Sequence, residues 1–239
     1  SAATRAAPGQ TSIVVLPGAG ALALAGGSVT AVANGLPFST TFPVVENPLS
    51  QGGNWLGGLT AGLDWQNGQV TAAGAFAAAA TVNNFDDGTA LLNPAVFTFS
   101  SNQYVEGTVY RDPTFTTAVV AGFELELRIR SSLSAHSCTG YELYCSLNNG
   151  LTLVRWNGAR GDFSPILDGG TYVATTGDVL RIEAVGSTLT IYVNGVSKGS
   201  ISDGTFLTGT PGMGWGPYPG VSGADLLRMG WSSFRAGAL

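Results

Sequence analysis

The chain has 239 residues, of which 35 are glycine and only 10% are charged. Its formal net charge is −5. That balance argues against electrostatic binding of nucleic acid, which relies on clustered lysine and arginine. The length suits a single all-β domain with one large core. Low charge together with abundant small residues favours an extracellular or particle-bound protein.

The first long segment, residues 11–33, is almost wholly apolar. It is long enough for a membrane helix, which needs about 20 apolar residues, but Pro17-Gly18 and Gly26-Gly27 interrupt it. A signal peptide also fits, with Arg5 ahead of the apolar run and Ala31-Val32-Ala33 as a cleavage site.

We favour a third interpretation, in which this segment forms short strands separated by glycine turns. A few short strands lack a core of their own, so their backbone groups need partners elsewhere. We therefore predict that residues 1–37 form an N-terminal β-arm without a membrane span. The arm would dock on neighbouring protein subunits, giving an oligomer, or on the domain itself.

Short alternating segments separated by turn residues fill residues 38–239. In the clearest, Val179, Arg181 and Glu183 alternate with apolar neighbours, and Asn194-Gly195 then marks a two-residue hairpin turn. Further strands are predicted at 63–65, 69–82, 95–100, 104–110, 117–130, 141–147, 151–156 and 226–234, with a Gly/Pro-rich crossover at 206–219. Regular short strands of this kind indicate an antiparallel sandwich or barrel.

Several of these stretches together resemble the concanavalin A-like lectin/glucanase sandwiches of the laminin-G-like kind. FSTTFPVVENPLSQGGNW, from Phe38, resembles their opening, and DVLRIEAVGSTLTIYVNGV, from Asp178, with MGWSSFRAG, from Met229, resembles their end. The resemblance implies an all-β, antiparallel jelly-roll β-sandwich over residues 38–239. Similar domains occur in secreted glycan-binding proteins, in carbohydrate-active enzymes and in phage particles, so the fold alone names no function.

Glu124 and Glu126 stand two residues apart on a predicted strand and therefore share one face. Some glucanases of the superfamily that the chain resembles carry their nucleophile and acid on such a strand, and retaining hydrolysis needs carboxyl groups about 5–5.5 Å apart. The third carboxylate of that motif is missing, because Arg128 takes the next position on the face. We therefore predict a solvated stripe of glutamates and arginines, ending at Arg130, and no enzymatic activity.

The single histidine and the two cysteines offer little chemistry. His136 lies in a polar loop without an acidic neighbour in the sequence, so we expect a bystander rather than a general base. A disulfide between Cys138 and Cys145 would require a chain reversal at Thr139-Gly140. We therefore expect two unpaired thiols.

Asp86 and Asp87, in the loop NNFDDG, are the candidate metal ligands. They could bind calcium through carboxylates and loop carbonyls. Ser232-Ser233 stands where sandwiches similar to this one have an acidic pair for calcium. We predict no cofactor, with calcium at Asp86 and Asp87 as the open alternative.

Two segments combine tryptophan with planar polar side chains, as sugar binding requires. The glycan-binding candidates are Trp156, Asn157, Arg160 and Asp162 in RWNGARGDF, and Trp215 and Tyr218 in GWGPYPG. If the two tryptophans are stacking platforms, both rings should be substantially exposed. The interpretation that we favour for both rings is packing in the core or at its rim.

The leading functional hypothesis is a non-catalytic structural and adhesive protein of a particle surface. It would be a phage virion protein, in capsid decoration or associated with the tail, that presents a lectin-like sandwich. The alternative is a secreted glycan-binding, lectin-like module, and the third is a glycoside hydrolase or polysaccharide lyase. The expected location is the virion surface or the extracellular space, and the expected partners are neighbouring subunits and surface glycans.

Overall fold

The computed structural model describes residues 37–83, 85–115, 123–146, 150–217, 219, 221 and 223–239. The strands are β1 (Phe38–Thr40), β2 (Trp55–Gly57), β3 (Gly68–Thr71), β4 (Gly74–Ala77), β5 (Gly88–Leu92), β6 (Gln103–Arg111), β7 (Glu124–Ser134), β8 (Ser137–Ser146), β9 (Gly150–Gly158), β10 (Phe163–Gly170), β11 (Val179–Val185), β12 (Thr188–Val193), β13 (Val196–Ser202), β14 (Thr210–Gly216) and β15 (Met229–Ala238). A π-helical turn covers Gly58–Gly62 and a 3-10 turn covers Gly223–Leu227.

Two antiparallel sheets pack face to face, which confirms the predicted all-β jelly-roll sandwich. The first sheet has the order β13-β12-β11-β6-β15-β4-β3, with β1 also pairing to β15. The second has the order β10-β9-β8-β7-β14-β5-β2. Among the described residues, no helix is long and apolar enough to cross a membrane. The arm predicted over residues 1–37 lies outside the described residues, apart from Pro37.

The hairpin read from the sequence is present. β11 pairs with β12, with Leu180 opposite Val193 and Val185 opposite Thr188. Asn194 and Gly195 have φ of 51° and 76°, as a two-residue type I′ turn requires. The Asn194 side chain fixes the turn further, because its Oδ1 accepts a hydrogen bond from the Val179 amide at 2.8 Å.

The core lies between the two sheets and takes one side chain in two from each strand. Phe123, Leu125, Leu127 and Ile129 all enter it with no exposed surface. Trp215, on β14, also lies in this core, and its Nε1 donates to the Ala75 carbonyl at 3.1 Å. The indole therefore gains its hydrogen bond inside the protein rather than from solvent.

Two strands and one crossover predicted from the sequence are wrong. Residues 63–65 follow the π-helical turn and 95–100 form a turn and an irregular segment. The supposed crossover at 206–219 contains β14, which pairs with both β7 and β5. Glycine hides this strand in the sequence, because Gly212 passes so close to β5 that an added Cβ would lie 2.4 Å from Leu91 Cδ2.

The cysteine prediction is confirmed, since Cys138 and Cys145 are both free and buried on β8. The strands predicted at 141–147 and 151–156 correspond to β8 and β9, which pair with each other with Ser146 opposite Gly150. The turn residues 147–149 lie outside the described residues. The predicted strand at 117–130 is β7 from residue 124 onward, and 116–122 are likewise outside the described residues.

Replacing Gly195 tests the turn that organises the β11–β12 hairpin. Gly195→Ala places a Cβ at positive φ with nothing within 4 Å of it, so the cost is backbone strain alone, about 1–2 kcal/mol. Chemical unfolding should show that loss. Gly204→Ala is the matched control, because this exposed glycine has no positive φ and its added Cβ would contact only Ser187 Cβ at 3.7 Å. Equal losses in both variants would contradict the assignment of strain to the turn.

Candidate functional site

The face of the second sheet that points away from the core carries a buried ion cluster. Glu126 has no exposed surface, and Arg128 and Glu142 are 1% and 3% exposed. The predicted solvated stripe is therefore wrong. Arg130 leaves the stripe altogether, because a register irregularity follows Ile129 and its guanidinium donates to the Ser101 carbonyl at 2.7 Å.

A second layer of chain explains this burial. We call residues 58–67 and 85–87 the covering layer. Trp65 is fully buried within it and meets Trp156 of β9 edge-on, with ring centroids 6.3 Å apart. These two rings pack in one apolar cluster with Cys138 and Val154. The apolar cluster and the covering layer together exclude solvent from the charges beneath.

Arg128 is the cation that the ion cluster is built around. Its Nη2 donates to Glu126 Oε2 at 2.6 Å and lies 2.8 Å from Glu142 Oε2. Trp156 Nε1 donates to the same Glu142 oxygen at 2.6 Å, and the Arg128 guanidinium lies over the Trp156 ring, 5.5 Å from its centroid. Charge-assisted bonds of this kind are short and strong, so they fix all three side chains.

Two further carboxyl groups, those of Asp87 and Glu124, lie near the ion cluster. Together with Glu126 and Glu142 they exceed the charge that the single arginine can neutralise. Burial, with Glu142 nearby, raises the pKa of Asp87 to about 8. Burial and the neighbouring Asp87 raise the pKa of Glu124 well above its usual range, and burial with Glu142 does the same for Glu126. Desolvation and like charges both favour the protonated acid. The cluster therefore keeps protons that exposed carboxyl groups lose.

Four buried polar atoms of this region have no hydrogen-bond partner among the described residues: Trp65 Nε1, Thr89 Oγ1, Glu126 Oε1 and Arg128 Nε. Gly216 packs closely against one of them, Glu126 Oε1. A Cβ on Gly216 would lie 3.3 Å from Asp87 Oδ1 and 3.4 Å from Glu126 Oε1. Internal water commonly satisfies buried groups of this kind. Glu126 has no exposed surface, so Glu124 and Glu126 do not form an open acid pair in the described structure.

Asp86 and Asp87, the candidate calcium ligands, belong to the covering layer. Both Asp86 carboxylate oxygens accept backbone hydrogen bonds, from the Val82 amide at 2.8 Å and from the Asn83 amide at 2.9 Å. In the part of the chain that the structure describes, no three His, Cys, Asp or Glu side chains form a group that could hold a metal ion. Calcium at Asp86 and Asp87 stays a prediction.

Above the ion cluster, the loop ends bring exposed polar side chains and one aromatic ring together. We call Asp64, Phe85, His136, Asn157, Arg160 and Asp162 the rim patch. The Phe85 ring is 41% exposed and rests on the backbone of Gly161, whose added Cβ would lie 3.2 Å from Phe85 Cδ2. Beneath it, Phe163 packs against both Phe85 and Trp156, with centroids 5.7 and 5.2 Å away.

Hydrogen bonds hold the polar members of the rim patch in place. Asn157 Nδ2 donates to Asp162 Oδ1 at 3.0 Å. Arg160 Nη1 reaches the Asp64 carbonyl at 3.5 Å. His136 Nδ1 lies 2.9 Å from an Asp64 carboxylate oxygen, although the two residues are 72 positions apart. That pairing gives the histidine an acidic neighbour that the sequence does not reveal.

The candidates named from the sequence divide into three groups. Asn157, Arg160 and Asp162 are exposed and lie together in the rim patch. The favoured packing of the tryptophans is confirmed, since Trp156 is 3% and Trp215 0% exposed, so neither ring is a stacking platform. Tyr218 lies outside the described residues. Sequence reasoning missed Phe85, whose only signal is an aromatic side chain within a polar turn, NNFDDG.

Because the pKa of Asp87 is raised in the folded protein, we predict that the stability of the protein depends on pH. The folded protein keeps this proton between its usual pKa of 3.8 and about 8, whereas the unfolded chain loses it. Stability therefore falls as pH rises through that window, by at most about 1.4 kcal/mol per pH unit for one proton. Asp87→Asn removes the group and should flatten the decline in melting temperature between pH 5 and 8.

A matched control is Asp225→Asn, which makes the same chemical change in a half-exposed ion pair with Arg228. It should keep the wild-type slope of melting temperature against pH. If Asp87→Asn shows that same slope, Asp87 does not hold a proton in the folded state.

Neither a protein-family model nor a curated protein matches the sequence. Solved structures do match. A structure described as an endo-acting O-glycanase of the human gut microbiota has a TM-score of 0.56 at 13% identity, covering 84% of this chain and 98% of that one. The Emp46p carbohydrate recognition domain has a TM-score of 0.52 at 11% identity, covering 86% and 97%.

The carbohydrate-binding module CBM66 from Bacillus subtilis gives a TM-score of 0.51 at 16% identity, covering 79% of this chain and 94% of that one. At such identities the likeness concerns the fold. The chain therefore has the concanavalin A-like lectin/glucanase sandwich fold.

Proposed function

We propose that this domain is a non-catalytic glycan-binding module and that the rim patch is its ligand site. The observation that carries the proposal is the exposed Phe85 ring beside an amide, a guanidinium and a carboxylate, those of Asn157, Arg160 and Asp162. A sugar ring presents a C–H face that stacks on an aromatic ring and hydroxyl groups that bond to planar polar groups. The rim patch offers both on loop ends, where ligand sites commonly lie.

The arrangement of the polar side chains supports binding because it exists before a ligand arrives. Asn157 is held from two sides, since its Oδ1 accepts from Arg155 Nε at 3.1 Å while its Nδ2 donates to Asp162. Phe163 and Trp156 support the Phe85 ring from below. Ordering side chains on binding costs about 0.5–1.5 kcal/mol each, and side chains already fixed avoid part of that cost.

The structural neighbours favour this proposal over the virion hypothesis. Two of them carry carbohydrate recognition in their names, whereas nothing in the described residues supports a place in a phage particle. A glycan-binding module of this kind would act outside the cell or on a surface. The docking of the N-terminal arm on other subunits stays a prediction.

The ion cluster supports binding without hydrolysis. Glu126 is enclosed and bonded to Arg128, so it cannot reach a glycosidic bond while the covering layer is in place. The likeness to an O-glycanase, and the shared strand of Glu124 and Glu126, keep hydrolysis as the second candidate. Enclosure of the required acid weighs against it.

Binding to an array of glycans, followed by titration of the best ligand, tests the proposal. Phe85→Ala should weaken binding about tenfold, or roughly 1.4 kcal/mol, because the stacking surface is lost. Asn157→Ala should weaken it as well. Val196→Ala is the control, since this side chain is 60% exposed on a strand of the other sheet. Its affinity should equal that of the wild type.

Unchanged affinity in both rim-patch variants would contradict the proposed site. Release of reducing sugar from the bound glycan, abolished by Glu126→Gln, would establish the hydrolase instead. Failure of the wild type to bind any glycan on the array would contradict the proposed function itself.

A further inference from the structure

A cavity of about 460 Å³ opens where β6 ends, and no residue of the rim patch lines it. Its walls are Tyr110, Arg111, Pro113, Ala174, Thr175 and Thr176. We propose that this cavity is a second ligand site, which binds a compact ring carrying a carboxylate group. The inference is independent of the glycan site, because it rests on a cavity away from the rim patch and on a different arginine.

The Arg111 guanidinium is held rigidly by neutral acceptors. Its Nε and Nη2 donate to the Phe115 carbonyl at 3.0 and 2.7 Å, and its Nη1 donates to the Ala174 carbonyl at 2.9 Å. A guanidinium carries five N–H groups, so two remain for a ligand. The side chain is thus fixed in position but retains donors to offer.

The positive charge of Arg111 is not neutralised by the protein. None of the ion pairs among the described residues includes it. All 15 aspartates and glutamates of the chain lie within the described residues, so no other acidic side chain remains to pair with it. Arginine stays charged at any physiological pH. An unpaired, half-buried guanidinium therefore attracts an anion.

Asp112, next to Arg111 in sequence, accepts from the Thr114 amide at 2.8 Å and forms no ion pair with Arg111. Asp178, which follows the cavity wall in sequence, forms no ion pair with Arg111 either. Its Oδ2 accepts from the Tyr172 hydroxyl at 2.6 Å and from the Thr175 amide at 2.9 Å. Its Oδ1 accepts from Asn194 Nδ2 at 2.8 Å. These bonds commit both carboxylate oxygens to the turn around the wall, which leaves the arginine free for a ligand.

The remaining walls suit a ring. Tyr110 is braced edge-to-face by Phe76, with centroids 5.5 Å apart and planes at 85°, and Pro113 and Ala174 are apolar. The Thr176 hydroxyl donates to the Arg111 carbonyl at 2.6 Å, which holds the wall against β6. Pockets for small ligands occupy about 300–1,000 Å³, so this cavity accommodates one small ring with its anionic group.

Two sources share this chemistry, namely an acidic sugar and a free aromatic acid. Titration of the isotopically labelled wild-type protein with glucuronate, glucose and benzoate distinguishes them by amide chemical shifts. We expect an acidic probe to shift the signals of Arg111, Ala174, Thr175 and Thr176, whereas glucose leaves them unchanged. Glucuronate alone would indicate a sugar ligand, and benzoate alone an aromatic one.

Variants of Arg111 test whether its positive charge causes the chemical-shift changes. Arg111→Gln should weaken binding about tenfold, because charge-assisted bonds to the carboxylate are lost. Arg111→Lys keeps the charge and should weaken it less. Phe85→Ala alters the rim patch and the covering layer, neither of which lines this cavity. It should leave the shifts unchanged, so failure of the glycan site is distinguishable from failure of this one.

The wild-type titration tests whether the cavity binds an acidic ring even if an Arg111 variant fails to fold. The proposal is overturned if glucose shifts the same signals as glucuronate. It is equally overturned if no acidic probe shifts them at about 10 mM, a concentration that detects even millimolar affinity.

Discussion

The ion cluster of Arg128, Glu126 and Glu142 is the interaction on which the outer layers of this domain depend. Removing one partner from a buried ion pair costs about 3–5 kcal/mol, because the remaining charge has no compensation. Without Arg128, the carboxyl groups of Glu126 and Glu142 would lie beneath the covering layer with no cation to pair with. Trp156 connects the ion cluster to the rim patch. It donates to Glu142 and packs against Phe163, which in turn packs against Phe85.

That chain of contacts relates the buried chemistry to the surface. The sheet face that carries Glu124 and Glu126 is covered by residues 58–67 and 85–87. The proposed ligand site is therefore the rim patch above this face. Phe85 belongs to both parts, as a member of the covering layer and as the aromatic member of the rim patch. The same segment that encloses the acids therefore supplies the proposed ligand surface.

Local signals in the sequence predicted the local structure well. The hairpin from Asp178 to Ser197 was predictable because alternation and the Asn194-Gly195 turn depend on neighbouring residues only. β14 was not, since Gly212, Gly214 and Gly216 are required by partners on β5 and β7 that the sequence does not place. Composition alone made that segment read as a crossover.

The larger error was the prediction that the outer face of β7 is exposed, and this error has one physical cause. Alternation on β7 separates two faces but does not say whether a distant segment covers the second. Trp65 supplies that cover from about 60 residues upstream of Glu126. The expected exposure of the glutamate stripe was wrong for this same reason. Asn157, Arg160 and Asp162 remained exposed because they lie beyond the covered area.

Amide hydrogen exchange in Arg128→Met tests the central claim most directly. If the ion cluster anchors the covering layer, exchange across residues 58–67 should become at least about tenfold faster, a loss of roughly 1.4 kcal/mol or more in local protection. The β11–β12 hairpin in the other sheet should keep its wild-type rates. Unchanged protection of residues 58–67 in the folded variant would contradict the account.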